Sequence, residues 1–215
     1  RLDQPFVANC RSVEPDAGDW TITRVQWGGS LLEDVSLTAE VVLVTVAHHA
    51  VEPSVAAAPA AGVVAAFRPD LDASLAHTVV ADRVVLTRGV TLSTAPVVVG
   101  GGRGVGSAEA FGPLEELAGL LGGVVGCSRA VTNNGWRPHS DQVGQTGTRI
   151  APDIYIASGI SGAIQHWVGA MAAKNILAIN TDSEANMVAR AGHAVIGDLH
   201  QVIPAIIEEI RRRRG

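Results

Sequence analysis

The hydrophobic and polar positions along the chain change character near residue 92. Before it, short runs rich in β-branched residues are cut by Gly, Pro and Asp. The runs are F-V-A-N-C-R-S-V near the start, W-T-I-T-R-V-Q-W at 20–27, V-V-L-V-T-V-A at 41–47, V-V-A-A-F at 63–67 and T-V-V-A-D-R-V-V-L-T at 78–87. Each predicts a strand. No convincing amphipathic helix interrupts them, and strands without crossover helices predict antiparallel pairing.

From about residue 93, strand and helix patterns alternate. A-P-V-V-V-G-G-G (95–102), G-V-V-G-C (123–127), D-I-Y-I-A (153–157), K-N-I-L-A-I-N (174–180) and H-A-V-I-G (193–197) read as short buried strands. Between and after them lie P-L-E-E-L-A-G-L-L-G (113–122), a helix opening near Ser161, E-A-N-M-V-A-R-A and the closing V-I-P-A-I-I-E-E-I-R-R-R-R. Pro113 suits a first helical turn and Gly122 a helix stop. A polar loop is expected between Cys127 and about residue 150. Such alternation predicts an α/β fold, a doubly wound parallel sheet with helices on both faces and ligands beyond the carboxyl ends of the strands. The expected organisation is a β-rich segment, 1–92, followed by an α/β domain, 93–215. Every strand of the second part runs into polar or glycine residues: Arg103 within 100–104, Ser128-Arg129, Ser158-Gly159, Asn180-Thr181-Asp182 and Gly197-Asp198.

Composition narrows the choices. The 215 residues are 47% hydrophobic but only 4% aromatic, so the core is mostly Val, Ala, Leu and Ile. A net charge of −5 carries no nucleic-acid or anionic-membrane footprint. The basic run Arg211–Arg214 suits a solvated helix end. No apolar run reaches the ~20 residues of a membrane span. Cys10 and Cys127 lack metal-ligand spacing and read as free thiols of a reducing compartment, Cys127 buried at a strand end. The chain begins at Arg1, with neither a signal nor a transit peptide, and is expected to be a fragment, a processed product or a natural short form.

Several stretches could carry chemistry. G-G-G-R-G-V-G (100–106) does not satisfy G-x-G-x-x-G. It is either a phosphate-binding turn, which Arg103 favours, or a tight turn needing glycine. Ser161 is expected at a helix N-cap, a position that holds anions, although simple capping also explains it. Gln165 and His166 on that first turn exceed what capping requires. G-I-S-G-A lacks the spacing of a nucleophile elbow. His48-His49 falls on a β segment without nearby carboxylate or thiolate spacing and reads as a structural pair.

Taken together, G-G-R-G, G-C-S-R-A-V with G-W-R-P-H-S, V-G-Q-T-G, A-P-D-I-Y-I-A-S-G-I-S-G-A-I-Q-H, A-I-N-T-D and G-D-L-H resemble the C-terminal FAD domain of electron transfer flavoprotein α subunits. The resemblance covers about 93–215. Before it, T-R-V-Q-W-G-G-S resembles R-P-x-Y-G-G-N with Val25 for proline and Ser30 for asparagine, and A-A-F-R-P resembles T-V-R-P. Residues 1–92 then correspond to a remnant of an N-terminal α/β domain, ahead of a Rossmann-like FAD domain. Departures are Asn133-Asn134 for D-A, Thr181 for lysine and Trp167 for leucine.

The resemblance implies FAD as cofactor. It carries the FAD site onto Arg103, Ser128, Arg129, Val143, Gly144, Gln145, Thr146, Ser161, Gly162, Ala163, Ile164, Gln165, His166, Asn180, Asp198 and Leu199. Arg129 would lie against the isoalloxazine, Thr146 reach toward N5 and His166 approach the C2 carbonyl. The pyrophosphate would lie near Ser161, with Asn180 and Asp198 at the adenosine end. A guanidinium and an imidazole there would raise the flavin potential and favour its negatively charged one-electron-reduced form. The implied function is an electron carrier without substrate turnover of its own, paired with a β subunit in a heterodimer. It would accept electrons from flavin dehydrogenases, including acyl-CoA dehydrogenases of fatty acid β-oxidation, and deliver them to a membrane quinone oxidoreductase. The α component of a flavin-dependent reductase or electron-bifurcating complex is the alternative. The expected setting is a bacterial cytoplasm or a mitochondrial matrix, with no nucleic-acid partner and no membrane insertion.

Overall fold

The structure, a computed structural model, describes residues 3–52, 54–55, 62–70, 72, 74 and 89–215. The chain divides into two compact units, one of residues 1–51 with 90–215, the other of 52–89. In the second unit, residues 62–70 form no regular element. The strand expected at 63–67 is therefore not made: Val63 and Phe67 stay 93% and 85% exposed, and no strand among the described residues pairs with them. The strand expected at 78–87 lies outside the described residues.

In the first unit, a small sheet of four strands contains β1 (Phe6–Asp16), β2 (Asp19–Gln26), β3 (Leu31–Thr38) and β4 (Leu43–Val46), in the order β3-β2-β1-β4. β1 and β2 form a hairpin whose two loop residues, Ala17 and Gly18, are both left-handed, as a type I′ turn requires. β3 was not anticipated. Leu31 and Leu32 are more than half exposed, and only Val35 and Leu37 alternate toward the core, so the pattern that marks a half-buried strand is confined to the end of β3. Pairing departs from the expected antiparallel pattern at one edge, where β4 runs parallel to β1. The buried face holds Val7, Cys10 and Ile22. Cys10 and Cys127 are both free and buried. His48 and His49 sit in the turn after β4 rather than on a strand.

The second sheet is wholly parallel: β5 (Val97–Gly101), β6 (Val124–Cys127), β7 (Ile154–Ser158), β8 (Ile176–Asn180) and β9 (His193–Ile196), in the order β6-β5-β7-β8-β9. The helices are α1 (Gly112–Leu120), α2 (Arg129–Asn133), α3 (Ile164–Ala170), α4 (Asn186–Arg190) and α5 (Leu199–Arg214). α2 shortens the expected polar loop. The two faces of the sheet feed two cores, to which the exposed edge strand β9 contributes no residue. Val99, Ile156 and Ile179 meet Leu114, Leu117, Ile203 and Ile207 of α1 and α5. Val98, Tyr155, Ala157 and Ala178 meet Ala170 and Met187 of α3 and α4. Leu114 and Leu117 are fully buried, each contributing about 1.5–3 kcal/mol. Arg211–Arg214 are exposed at the α5 terminus, where Glu209 and Glu116 pair with three of them. No helix among the described residues is long and apolar enough to cross a membrane.

The chain leaves β5 for β6 and then returns across β5 to β7, so connections diverge on either side of β5. Where they part, Gly102 N donates to Ser158 O at 2.9 Å and Gly104 N to Gly159 O at 3.1 Å. A Cβ at Gly102 would collide with the Gly159 carbonyl, and Gly159 is left-handed at φ 64. Gly102→Ala is expected to destabilise the protein by more than about 2 kcal/mol. Gly119→Ala, on exposed α1 surface with open space around it, should raise stability by up to about 1 kcal/mol. Thermal denaturation of the two variants checks the contrast.

Candidate functional site

All five carboxyl ends of the parallel sheet open onto one cleft of about 390 Å³. Arg103 and Gly104 follow β5, Ser128 and Ala130 follow β6, and Gly159, Ile160 and Ser161 follow β7. Thr181 and Asp182 follow Asn180 of β8, and Gly197, Asp198 and Leu199 follow β9. The cleft therefore gathers Arg103, Ser128, Ser161, Asn180, Asp198 and Leu199 of the sequence-derived candidates. Its volume lies in the range of small-molecule pockets. Sequence reading omitted the backbone-lining residues Gly104, Gly159, Ile160 and Gly197, whose signal was their place beside strand ends.

Local structure corrects one expectation. Ser161 does not cap a helix: α3 begins at Ile164 after Ala163, with no side-chain cap. Gly162 is left-handed at φ 79, and the Ser161 carbonyl accepts from Met187 N at 3.2 Å, so this segment turns against α4 before the helix starts. Ser161 still faces the cleft. Gly162 is buried, and Ala163, Ile164 and Gln165 are exposed along the α3 entrance. Asn180 spans the rim, donating Nδ2–H to Ile160 O at 3.1 Å and accepting at Oδ1 from Asp182 N at 3.1 Å. Asp198 caps α5 by accepting from His200 N at 2.9 Å. These two side chains thus hold the rim as well as line it.

Val143, Gly144, Gln145, Thr146 and His166 form a second group beside α3. Val143 N bonds Cys127 O at 2.9 Å, Gln145 N bonds Gln165 O at 2.7 Å, and Gly147 N closes a turn on Gly144 O at 3.2 Å. Gln145 and Thr146 are exposed, while Val143 and Gly144 are buried. Gln142, absent from the candidate residues, is 2% exposed and bonded to both Thr132 and Thr146. A polar residue in a polar-looking segment gives no sequence sign of such burial.

His166 is 7% exposed, and its Nε2 lies 2.8 Å from the Tyr155 hydroxyl. Burial pushes its pKa down to about 4, against the opposing backbone of Val143, so the imidazole is neutral at pH 7. Tyr155 is held protonated by burial. A Tyr155 O–H donating to Nε2 places the imidazole proton on Nδ1, which lies near Val143 but makes no hydrogen bond. The contribution of His166 is accordingly that of a neutral dipole.

The residues fit an anionic nucleotide. Among the described residues, neither Arg103 nor Arg129 has a carboxylate partner. Both are exposed, Arg103 on the cleft wall and Arg129 opening α2 between two cleft-lining residues. Ser158 Oγ and His166 Nδ1 are buried without partners, a state that fully satisfied cores avoid. Among the described residues, no cluster of His, Cys, Asp or Glu could hold a metal ion.

Comparison with known proteins returns one family of flavoproteins. A family described as the electron transfer flavoprotein FAD-binding domain matches residues 91–171. The electron transfer flavoprotein subunit alpha of Bacillus subtilis (strain 168) is 37% identical over 213 residues, covering 99% of this chain and 65% of its own length. That of Syntrophomonas wolfei subsp. wolfei is 39% identical over 215 residues, covering 99% and 67%. That of Mycobacterium tuberculosis (strain ATCC 25618 / H37Rv) is 51% identical over 119 residues, covering 55% and 37%. The chain thus spans about two thirds of the length of the relatives that match it throughout.

The His166 environment sets a pH dependence. With a pKa near 4 when folded and about 6.5 unfolded, the unfolded state binds more protons between those values. Stability is then fully present above about pH 6.5 and falls as pH drops toward 4, by up to about 3 kcal/mol. His166→Gln, which preserves an acceptor for Tyr155, should flatten this part of the profile. Chemical denaturation across pH 4–7 measures the difference, and equal slopes would remove the assignment.

Proposed function

We propose a function from one premise: the chain belongs to the electron transfer flavoprotein α-subunit family. The chain binds FAD and serves as an electron carrier subunit without substrate turnover of its own. The observation that carries this reading is the delivery of Arg103, Ser128, Ser161, Asn180 and Asp198 to one cleft by successive strand ends. Bound FAD would supply electron transfer in single-electron steps.

The chain's own residues divide the work. Arg103 suits the pyrophosphate, since an exposed guanidinium complements phosphate charge, while the glycine amides beside it are committed to the carbonyls of Ser158 and Gly159. Asn180 and Asp198 stand at the adenosine end of the cleft. Arg129, Gln145, Thr146 and His166 serve the ring. Arg129 is the fixed positive charge there because burial keeps His166 neutral. Gln145, Thr146 and the Nδ1–H of His166 are neutral donors, able to bond a ring without holding it in one charge state.

The partners follow from the same reading. A β subunit covers part of the cofactor, acyl-CoA dehydrogenases donate electrons, and a membrane quinone oxidoreductase accepts them. The test is to purify the chain with its β subunit and titrate the protein-bound FAD. Uptake of FAD and reduction in two one-electron steps without direct NADH oxidation supports the carrier. NADH oxidation by the pair would indicate a reductase component, and a colourless complex that takes up no FAD would overturn the cofactor assignment. Arg129→Ala should retain FAD and lower its midpoint potential by roughly 40 mV, about 1 kcal/mol for one electron. An unchanged potentiometric titration would remove Arg129 from the ring.

A further inference from the structure

Gln142 is 2% exposed, and its amide joins two elements assigned to the ring. Thr132, on α2 three residues after Arg129, directs its Oγ1–H at Gln142 Oε1, 2.8 Å away, with the Arg129 carbonyl a second acceptor at 3.0 Å. At the other end, Gln142 Nε2 donates to Thr146 Oγ1 at 2.9 Å. The backbone leaves Gln142 little freedom. Its N–H donates to His139 O at 3.0 Å and its carbonyl accepts from Thr148 N at 2.7 Å. Gly147 lies so close that a Cβ there would collide with the Gln142 carbonyl.

Direction matters in this chain of bonds. A threonine hydroxyl has one proton and two acceptor lone pairs. By accepting from Nε2, Thr146 keeps its own proton for a different acceptor. The Thr132 hydroxyl lies nearer to Oε1 than to the Arg129 carbonyl, and that shorter contact favours the amide orientation that makes this possible. A Thr146 hydroxyl without Nε2 beside it is free to rotate and to spend its proton on the protein.

We propose that Gln142 is a positioning residue that holds Thr146 as a hydrogen-bond donor toward the flavin ring and ties that donor to the helix bearing Arg129. The inference rests on the FAD reading above. A purely structural Gln142 would satisfy buried backbone and hydroxyl groups with no effect on the electronics of a ligand. Acting through Thr146 instead, it helps to set the flavin potential, because a donor to a ring nitrogen stabilises the electron-rich reduced ring.

The test is a double-mutant cycle read as midpoint potential, on the FAD-loaded protein purified with its β subunit. Gln142→Met keeps approximate volume and neutrality but removes the amide. It should retain FAD and lower the midpoint potential by nearly as much as Thr146→Val. In a Thr146→Val background, Gln142→Met should add no further shift. Thr132→Val, which releases Oε1 without touching Thr146, should give a smaller shift in the same direction and keeps the inference testable if Gln142→Met does not fold. Unchanged potentials with FAD retained would overturn the inference, as would full additivity in the double variant. Failure of the unmodified protein to take up FAD would instead overturn the cofactor reading and this inference with it, an outcome visible before any substitution is made.

Discussion

The site depends on how closely two backbone segments approach where the chain leaves β5 and β7. Gly102 and Gly104 donate to the carbonyls of Ser158 and Gly159, and side chains are excluded from the contact. These bonds extend the parallel ladder beyond the last strand residues, so the loops after β5 and β7 separate at a fixed point. Arg103 is consequently held at the cleft wall by backbone geometry, with no salt bridge among the described residues to aim it. The same contact keeps Ser161 at the opposite wall although no helix cap anchors it. A cleft at a change in strand order is expected of doubly wound sheets. Here glycine-to-glycine contact sets its mouth.

Around that framework, charge and burial are sorted. Arg103 and Arg129 stay exposed, where desolvation does not oppose an ionised group. His166 and Tyr155 are buried and stay neutral, each the other's hydrogen-bond partner. Gln142 is buried and uncharged, with both ends of its amide engaged. An anionic ligand can meet positive charge at the rim and neutral donors inside, and the protein avoids burying an unpaired cation. The unpartnered Ser158 Oγ and His166 Nδ1 are the exceptions, at a strand end and in the first turn of α3.

The parallel sheet was legible because each strand is a short apolar run ending in glycine or a polar residue, and all five lie where that pattern places them. The small sheet was only partly so. β3 opens with exposed leucines and acidic residues and shows an apolar face only at Val35 and Leu37, and the parallel pairing of β4 leaves no local signature. Ser161 failed as a cap because Ser-Gly before an apolar stretch looks like a helix start, whereas the left-handed Gly162 and the bond from Met187 N of α4 to the Ser161 carbonyl hold the chain in a turn until Ile164. Motif residues at strand ends could be found by position. Gln142 and Tyr155 could not, since their importance comes from burial and from which hydroxyl or imidazole faces them.

The loop bearing Gln145 and Thr146 is held from three directions. α3 fixes it through Gln165 O, and α2 reaches it through Thr132 and Gln142. The small sheet meets it at the turn Trp27–Gly29, where Gln145 Nε2 lies 3.4 Å from Trp27 O and the left-handed Gly28 makes room for the Gln145 side chain. Trp27 itself is left-handed at φ 51 and 77% exposed, an arrangement that costs on the order of 1 kcal/mol or more and persists only where surroundings impose it. That strain sits where the β-rich segment touches the loop assigned to the ring. The geometry of this loop is therefore a property of both sheets, and residues far outside the FAD-domain match help to determine where Gln145 lies.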